Sequence, residues 1–218
     1  MNKYLALVIL LMVFFCSCDK VQKPEEYFEK GVEKARQNDL RNSLFDLNKA
    51  IELNPYYAFA YFNRGLVKFK LQDFTGAILD FNKIIEMSNE NDATDAITLK
   101  VDAYYNRGVA KLNLKDLRGA IIDFDTVIIA QPNYDAVEDG ARAYTYRANC
   151  KGALQDFKGA IIDFNKAIEL NPKNHEAYFK RGYVKMKLKD KDGSCKDWSK
   201  AGELGEADAY DLIKKYCN

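Results

Sequence analysis

DFKGAIIDFNKAIELNP, Asp156 to Pro172, followed by AYFKRGYVKMKL from Ala177 to Leu188, is the stretch of which the rest of the chain is a set of variations. The first phrase recurs as DLRNSLFDLNKAIELNP from Asp39, DFTGAILDFNKIIEM from Asp73 and DLRGAIIDFDTVIIAQP from Asp116, each preceded by its own version of YFNRG. Tyr27, Tyr61, Tyr104, Tyr144 and Tyr178 mark the copies, spaced 34, 43, 40 and 34 residues apart. A fixed period in this range is the signature of a repeat architecture, so the chain is five copies of one unit of 34 residues with insertions of nine and six.

Within a unit, an apolar-periodic segment such as Ala58 to Leu71 is followed by a break at Gln72-Asp73 and a second periodic segment to Met87. The break always carries an aspartate: Asp39, Asp73, Asp116, Asp156 and Asp190. A carboxylate there accepts the free amides at a helix start, so each is expected to be the N-cap of the second helix. Second helices are expected to stop at Asn54-Pro55, Asn171-Pro172 and Gln131-Pro132, because proline cannot continue the ladder. Each unit is thus an antiparallel helical hairpin. Small residues (Gly31, Gly65, Gly108, Ala148 and Gly182 on the first helix; Ser43, Ala77, Ala120, Ala160 and Ser194 on the second) mark the close approach. Leu47, Phe81, Phe124, Phe164 and Trp198 fill the space beside them.

This order of aromatic, Gly, Ala, aromatic, Ala and Pro resembles the tetratricopeptide repeat family over Pro24 to about Leu204. The second unit departs from it, with Ser88-Asn89 in place of Pro. The resemblance implies an all-α, right-handed solenoid of five hairpins closed by a C-terminal capping helix. The units then run 24–57, 58–91, 101–134, 141–174 and 175–205. The insertions, 92–100 and 135–140, are helix-friendly and read as N-terminal extensions of the next first helix, projecting beyond the stack. Residues 206–218, with the amphipathic run ADAYDLIKKYC, form the cap that a solenoid needs over its last core edge. Pairing that helix antiparallel to its predecessor brings Cys195 and Cys217 to similar heights, which in an exported protein favours a disulfide over two free thiols. Cys150 is left as a small buried side chain.

Basic residues Lys30, Arg64, Arg107, Arg147 and Arg181 stand at the seventh repeat position, and Asp46, Asp80, Asp123, Asp163 and Asp197 at the twenty-third. On a hairpin bent near positions fifteen and sixteen the two come to nearly the same height, so they are expected to pair as an architectural ladder.

Composition excludes more than it proposes. With 33 basic against 32 acidic residues in 218, the chain lacks the surplus that phosphate binding requires, and no nucleic-acid partner is expected. The N-terminus is an address: MNKYLALVILLMVFFCS, residues 1–17, has one Lys and an apolar run from Tyr4 to Phe15. As a helix that run rises about 18 Å against roughly 30 Å of hydrocarbon, which favours a signal peptide over a spanning helix. Phe15-Cys16-Ser17-Cys18 resembles the lipobox of bacterial lipoproteins, with Phe15 where Leu is usual. It implies lipidation of Cys18, a short tether over 18–23, and a cell-envelope location on the outer membrane facing the periplasm.

Chemistry is sparse. His175 is the single histidine, no metal-ligand spacing or phosphate-cradling glycine loop is present, and no nucleophile, base and acid set stands out. No cofactor and no catalysis are expected. The family resemblance instead implies a concave face lined by the first helices, formed here by Phe28, Phe59, Phe62, Leu66, Phe69, Tyr105, Leu112, Phe179 and Tyr183, with Val32, Val109 and Met186. Arg142, Asn149, Lys70 and Lys187 add polarity. Such a face suits a peptide or protein segment. Packing of these side chains against neighbouring helices is the bland alternative, and an enzyme or small-ligand receptor using the groove is the competing function. A clamp for a terminal carboxylate is rejected. Where the family pattern needs Lys and Asn, then Asn, then two basic residues, the first three units offer Phe28 and Val32, Asn63, then Asp102 and Asn106. Mass spectrometry of the mature N-terminus is expected to find Cys18 carrying lipid, and an unmodified residue other than Cys18 there would defeat the anchor.

Overall fold

Proline opens the first helix, where its missing N–H costs nothing because the first amides of a helix lack intrahelical partners. From there the computed structural model describes residues 23–87, 94–130 and 137–217. The expected signal segment, Cys18 and the proline stop at Gln131-Pro132 lie outside these. Eleven helices, all α, run through the described residues: α1 (Pro24–Arg36), α2 (Leu40–Leu53), α3 (Ala58–Lys70), α4 (Phe74–Met87), α5 (Thr94–Asn113), α6 (Leu117–Ala130), α7 (Val137–Ala153), α8 (Phe157–Leu170), α9 (His175–Lys187), α10 (Lys191–Glu203) and α11 (Asp208–Tyr216). The first ten pair consecutively into five hairpins, each second helix also packs on the first helix of the next unit, and α11 closes the series on α10. The result is a solenoid.

Every bend is built the same way. Asn38, Gln72, Lys115, Gln155 and Lys189 sit in the left-handed region at φ between 62° and 66°. That geometry costs a non-glycine residue roughly 1–2 kcal/mol. It lets the next amide, that of Asp39, Asp73, Asp116, Asp156 or Asp190, donate back to the carbonyl of Lys34, Lys68, Lys111, Lys151 or Lys185 at 2.9–3.0 Å, satisfying an orphan acceptor at the helix end. The same aspartate then caps the following helix. In the last four units its Oδ1 accepts the amide of Gly76, Gly119, Gly159 or Gly193 at 2.9 Å. A Cβ on any of those glycines would lie 2.0–2.1 Å from the carboxylate. The first unit has Asn42 at that place, and its cap bond lengthens to 3.4 Å.

The hairpins interlock by small against large. The position of a Cβ on Gly65 falls 2.8 Å from Phe81, and one on Gly182 falls 2.6 Å from Trp198. Phe81, Phe124, Phe164, Leu47 and Trp198 are all buried. At α5 and α7 the first helix lengthens from the usual 13 residues to 20 and 17. Near the base of the α5 extension Leu99 is buried with Phe81 and Ile84 of the preceding unit, covering the apolar end of α4, while Ile97 beyond it is half exposed. At the far end α11 buries Ala209 against Trp198, Ala201 and Phe179, the sulfurs of Cys195 and Cys217 are bonded, and His175 Nδ1 lies 2.9 Å from Glu206 Oε2.

Between the helices runs a ladder of buried aspartates. Asp80, Asp123, Asp163 and Asp197 each receive a two-pronged guanidinium, from Arg64, Arg107, Arg147 and Arg181, with Nη2 to Oδ1 at 2.6–2.7 Å. A lysine one turn further on, Lys68, Lys111, Lys151 or Lys185, approaches Oδ2 at 2.7–2.8 Å. The third guanidinium nitrogen, Nη1, reaches back to the preceding unit, donating to Asn48, Asn82, Asp125 or Asn165 at 2.6–2.8 Å. Each guanidinium also lies over its unit's Tyr61, Tyr104, Tyr144 or Tyr178, 5.0–5.4 Å from the ring centre. Burial works against the charge of Arg147, but its bonds to Asp163 and Asp125 outweigh that and hold its pKa above the ordinary range. The first unit corrects the expected pattern. Lys30 lies over Tyr27, and it is Lys34, one turn on, that pairs with Asp46. A single ammonium lacks the fork that spans both the carboxylate and the ring.

Asp123, with no exposed surface, is the centre of this ladder. Asp123→Ala leaves Arg107 and Lys111 facing each other without their counter-charge and is expected to cost about 3–5 kcal/mol. A fall in thermal midpoint of several degrees checks it, and an unchanged midpoint refutes the ladder's role.

Candidate binding face

The first helices α1, α3, α5, α7 and α9 place the groove residues named above along one face, because positions two, five, nine and twelve of each unit fall at helical spacing. Phe59 is 48% exposed and Tyr183 41% exposed, and Arg142 is exposed as well. Phe28, Phe62, Leu66, Phe69, Tyr105 and Leu112 are half-buried, and Phe179 is buried.

The half-buried residues divide their surface between neighbouring helices and the face. Phe28 packs on Tyr57, just before α3, at 5.0 Å between ring centres, Phe62 on Phe81 at 6.0 Å and Phe69 on Phe74 at 5.1 Å. Tyr105 meets Phe124 and Tyr146 edge-on, and the guanidinium of Arg142 lies 5.8 Å from its ring centre. Phe179 meets Tyr183 edge-on at 5.1 Å, and Tyr183 in turn meets Trp198 at 5.6 Å. Rings braced in this way lose little rotamer freedom when something lands on them.

Hollows interrupt the face. A smaller one, about 240 Å³, lies between α1 and α3 and includes Val32, Leu66, Arg36 and Lys70. One of about 420 Å³ lies beside Arg142, Tyr146, His175 and Glu176. A larger one, about 510 Å³, lies between α7 and α9, with Asn149, Gly152, Phe179, Lys180, Tyr183 and Asp208 around it. Asp208 escaped the sequence reading, and so did the second lysine of each ion set. The signal for that lysine was present, since it recurs four residues after the basic residue of every unit.

Nucleophilic chemistry finds little support. Burial pushes the Cys150 thiol up to about 11, so at neutral pH it carries its proton and is a packing group on α7. Among the described residues no group of three or more His, Cys, Asp or Glu is placed to hold a metal ion, and no helix is long and apolar enough to cross a membrane.

Comparison with known proteins agrees with this architecture. Models of the tetratricopeptide repeat match residues 60–91, 101–134 and 141–174. An uncharacterised protein of Methanocaldococcus jannaschii is 46% identical over 39 residues, 18% of this chain and 45% of that protein, so the chain spans under half the length of that relative. Among solved structures, the apo form of RapI superposes with a TM-score of 0.77 at 15% identity, over 88% of this chain and 73% of that one. YrrB, described as a tetratricopeptide-repeat protein with an unusual peptide-binding site, gives 0.68 at 19% identity over 87% and 90%. PilF of Pseudomonas aeruginosa gives 0.67 at 15% over 84% and 76%. At these identities the likeness is one of fold.

With its pKa raised from about 9 to about 11, Cys150 favours the native state below pH 9 and gives up that contribution as pH rises through 11. Iodoacetamide at pH 7.5 is accordingly expected to label Cys150 slowly in native protein and rapidly in denaturant. Equal rates would show the thiol to be accessible.

Proposed function

We propose that this tetratricopeptide-repeat protein is a non-catalytic binding platform that holds a peptide or protein segment along the concave face of its first helices. It is tethered to a bacterial membrane by lipid on Cys18. The observation that carries the reading is the row of partly exposed aromatic side chains running from Phe59 on α3 to Tyr183 on α9, in which Phe62, Phe69, Tyr105 and Tyr183 are braced by neighbouring rings. Large apolar side chains held rigid at a surface are what an interface core uses, because their burial stabilises at about 25 cal/mol per Å² and little entropy is lost. The fold shared with YrrB, whose description names a peptide-binding site, supports a peptide ligand. The fold shared with PilW, described as a type IV pilus biogenesis factor, supports a place in an envelope assembly, as does the lipobox-like Phe15-Cys16-Ser17-Cys18. The outer membrane, facing the periplasm, is the location consistent with that address.

Phe59 is the residue to change, since half of its side chain already meets water and its loss leaves the interlocked core intact. In a crosslinking pulldown from the envelope fraction, Phe59→Glu is expected to recover its partner about tenfold less efficiently than wild type, as for loss of one interface anchor. Equal recovery by a folded variant would remove the face from the function.

A further inference from the structure

The bulk of the first-helix face drops at two units. At the ninth and twelfth positions the second unit carries Leu66 and Phe69, the third Val109 and Leu112, and the fifth Tyr183 and Met186, whereas the first carries Val32 and Ala35, beside the smaller hollow, and α7 carries Asn149 and Gly152. The shortened side chains leave the hollow of about 510 Å³ between α7 and α9, a size that falls in the usual range for ligand pockets, roughly 300–1,000 Å³. Gly152 is not there for want of space. A Cβ built on it meets only Val184 at 3.6 Å and Ala160 at 3.8 Å, ordinary contact distances, unlike Gly65 or Gly182 with an aromatic ring at 2.8 and 2.6 Å. A glycine inside a helix costs about 0.5–1 kcal/mol relative to alanine, and here no close packing between helices calls for it.

The floor of the pocket is apolar and fixed: Phe164 and Phe179 are buried in two adjoining core clusters, with Val184 beside them. Lys180, Asp208 and the Asn149 amide are its polar lining, and Asp208 comes from the capping helix that the Cys195–Cys217 bond fastens to α10. One cation, one anion and one amide sum to no net charge. They suit the C=O and N–H groups of a peptide unit, and a charged side chain entering beside them would meet one like charge for each opposite one.

We infer that the pocket between α7 and α9 is an anchor site that takes one uncharged, bulky apolar side chain, of leucine or phenylalanine size, from the segment lying along the first-helix face. This rests on the peptide-binding reading and adds to it where on the face the segment is gripped and by what kind of residue.

Single amino-acid amides test the pocket without knowledge of the partner. In NMR titrations of the isotope-labelled full chain, N-acetylphenylalaninamide and N-acetylleucinamide are expected to shift the amides of Gly152 and Val184. N-acetylaspartamide is expected to leave them unmoved. Gly152→Leu fills the space and is expected to weaken the phenylalanine probe about tenfold or more. Gly152→Ala, which meets no close contact, is expected to weaken it less and serves as the test should the leucine variant fail to fold. Shifts absent from these amides, binding indifferent to both substitutions, or equal binding of the aspartate probe would overturn the anchor site. Phe59→Glu, outside the pocket, is expected to leave probe binding unchanged while lowering partner capture, so failure of the pocket and failure of the face are separable.

Discussion

A carboxylate buried between two helices must be paired or it unfolds them, and this solenoid repeats that constraint five times. Asp46, Asp80, Asp123, Asp163 and Asp197 are all nearly or wholly without exposed surface. Four of them are held by an arginine and a lysine from the partner helix of the same unit. Because the guanidinium is planar and forked, its three nitrogens serve the aspartate on one side and the preceding unit on the other. The angle between helices within a hairpin and the stacking of successive hairpins are thereby tied to one side chain, which also lies against the tyrosine that marks each repeat. The row of first-helix aromatic side chains follows from that regularity. Without a constant step from unit to unit, Phe59 and Tyr183 would not share a face.

Much of this was legible in the residues. The aspartate at each bend was readable as an N-cap because only a short side-chain acceptor suits a helix start, and the small and large positions were readable because interlocking demands them. Pairing of Arg64 with Asp80 followed from counting along a hairpin. Less was legible where two answers were locally equivalent. Lys30 and Lys34 lie one turn apart on the same helix, and nothing in their spacing says which would reach Asp46. The extension of α5 was recognisable as helix, but the burial of Leu99 against the end of α4 is a contact between units that helical periodicity does not encode. The face was harder still. Phe62 and Phe69 fill core gaps and line a surface together, so composition alone could not divide their area between the two. The pocket beside Gly152 left its mark as an absence, an amide and a glycine where the second, third and fifth units carry apolar bulk.

Glycines in this chain serve distinct physical ends. Gly76, Gly119, Gly159 and Gly193 make room for a capping carboxylate, while Gly31, Gly65, Gly108 and Gly182 make room for a large side chain from the facing helix. Gly152 makes room for nothing in the chain itself.

The backward reach of each arginine gives the stack a polarity. Within the ladder, shortening the array from its C-terminal end would strip an amide such as Asn165 of its donor, and that group is exposed enough for water to replace the lost bond. Shortening it from the N-terminal end would instead leave a half-buried guanidinium with a vacant prong facing the gap. Such an array yields most readily at its tail and resists erosion from its head, the end that emerges first during synthesis and has to stand before its successors arrive.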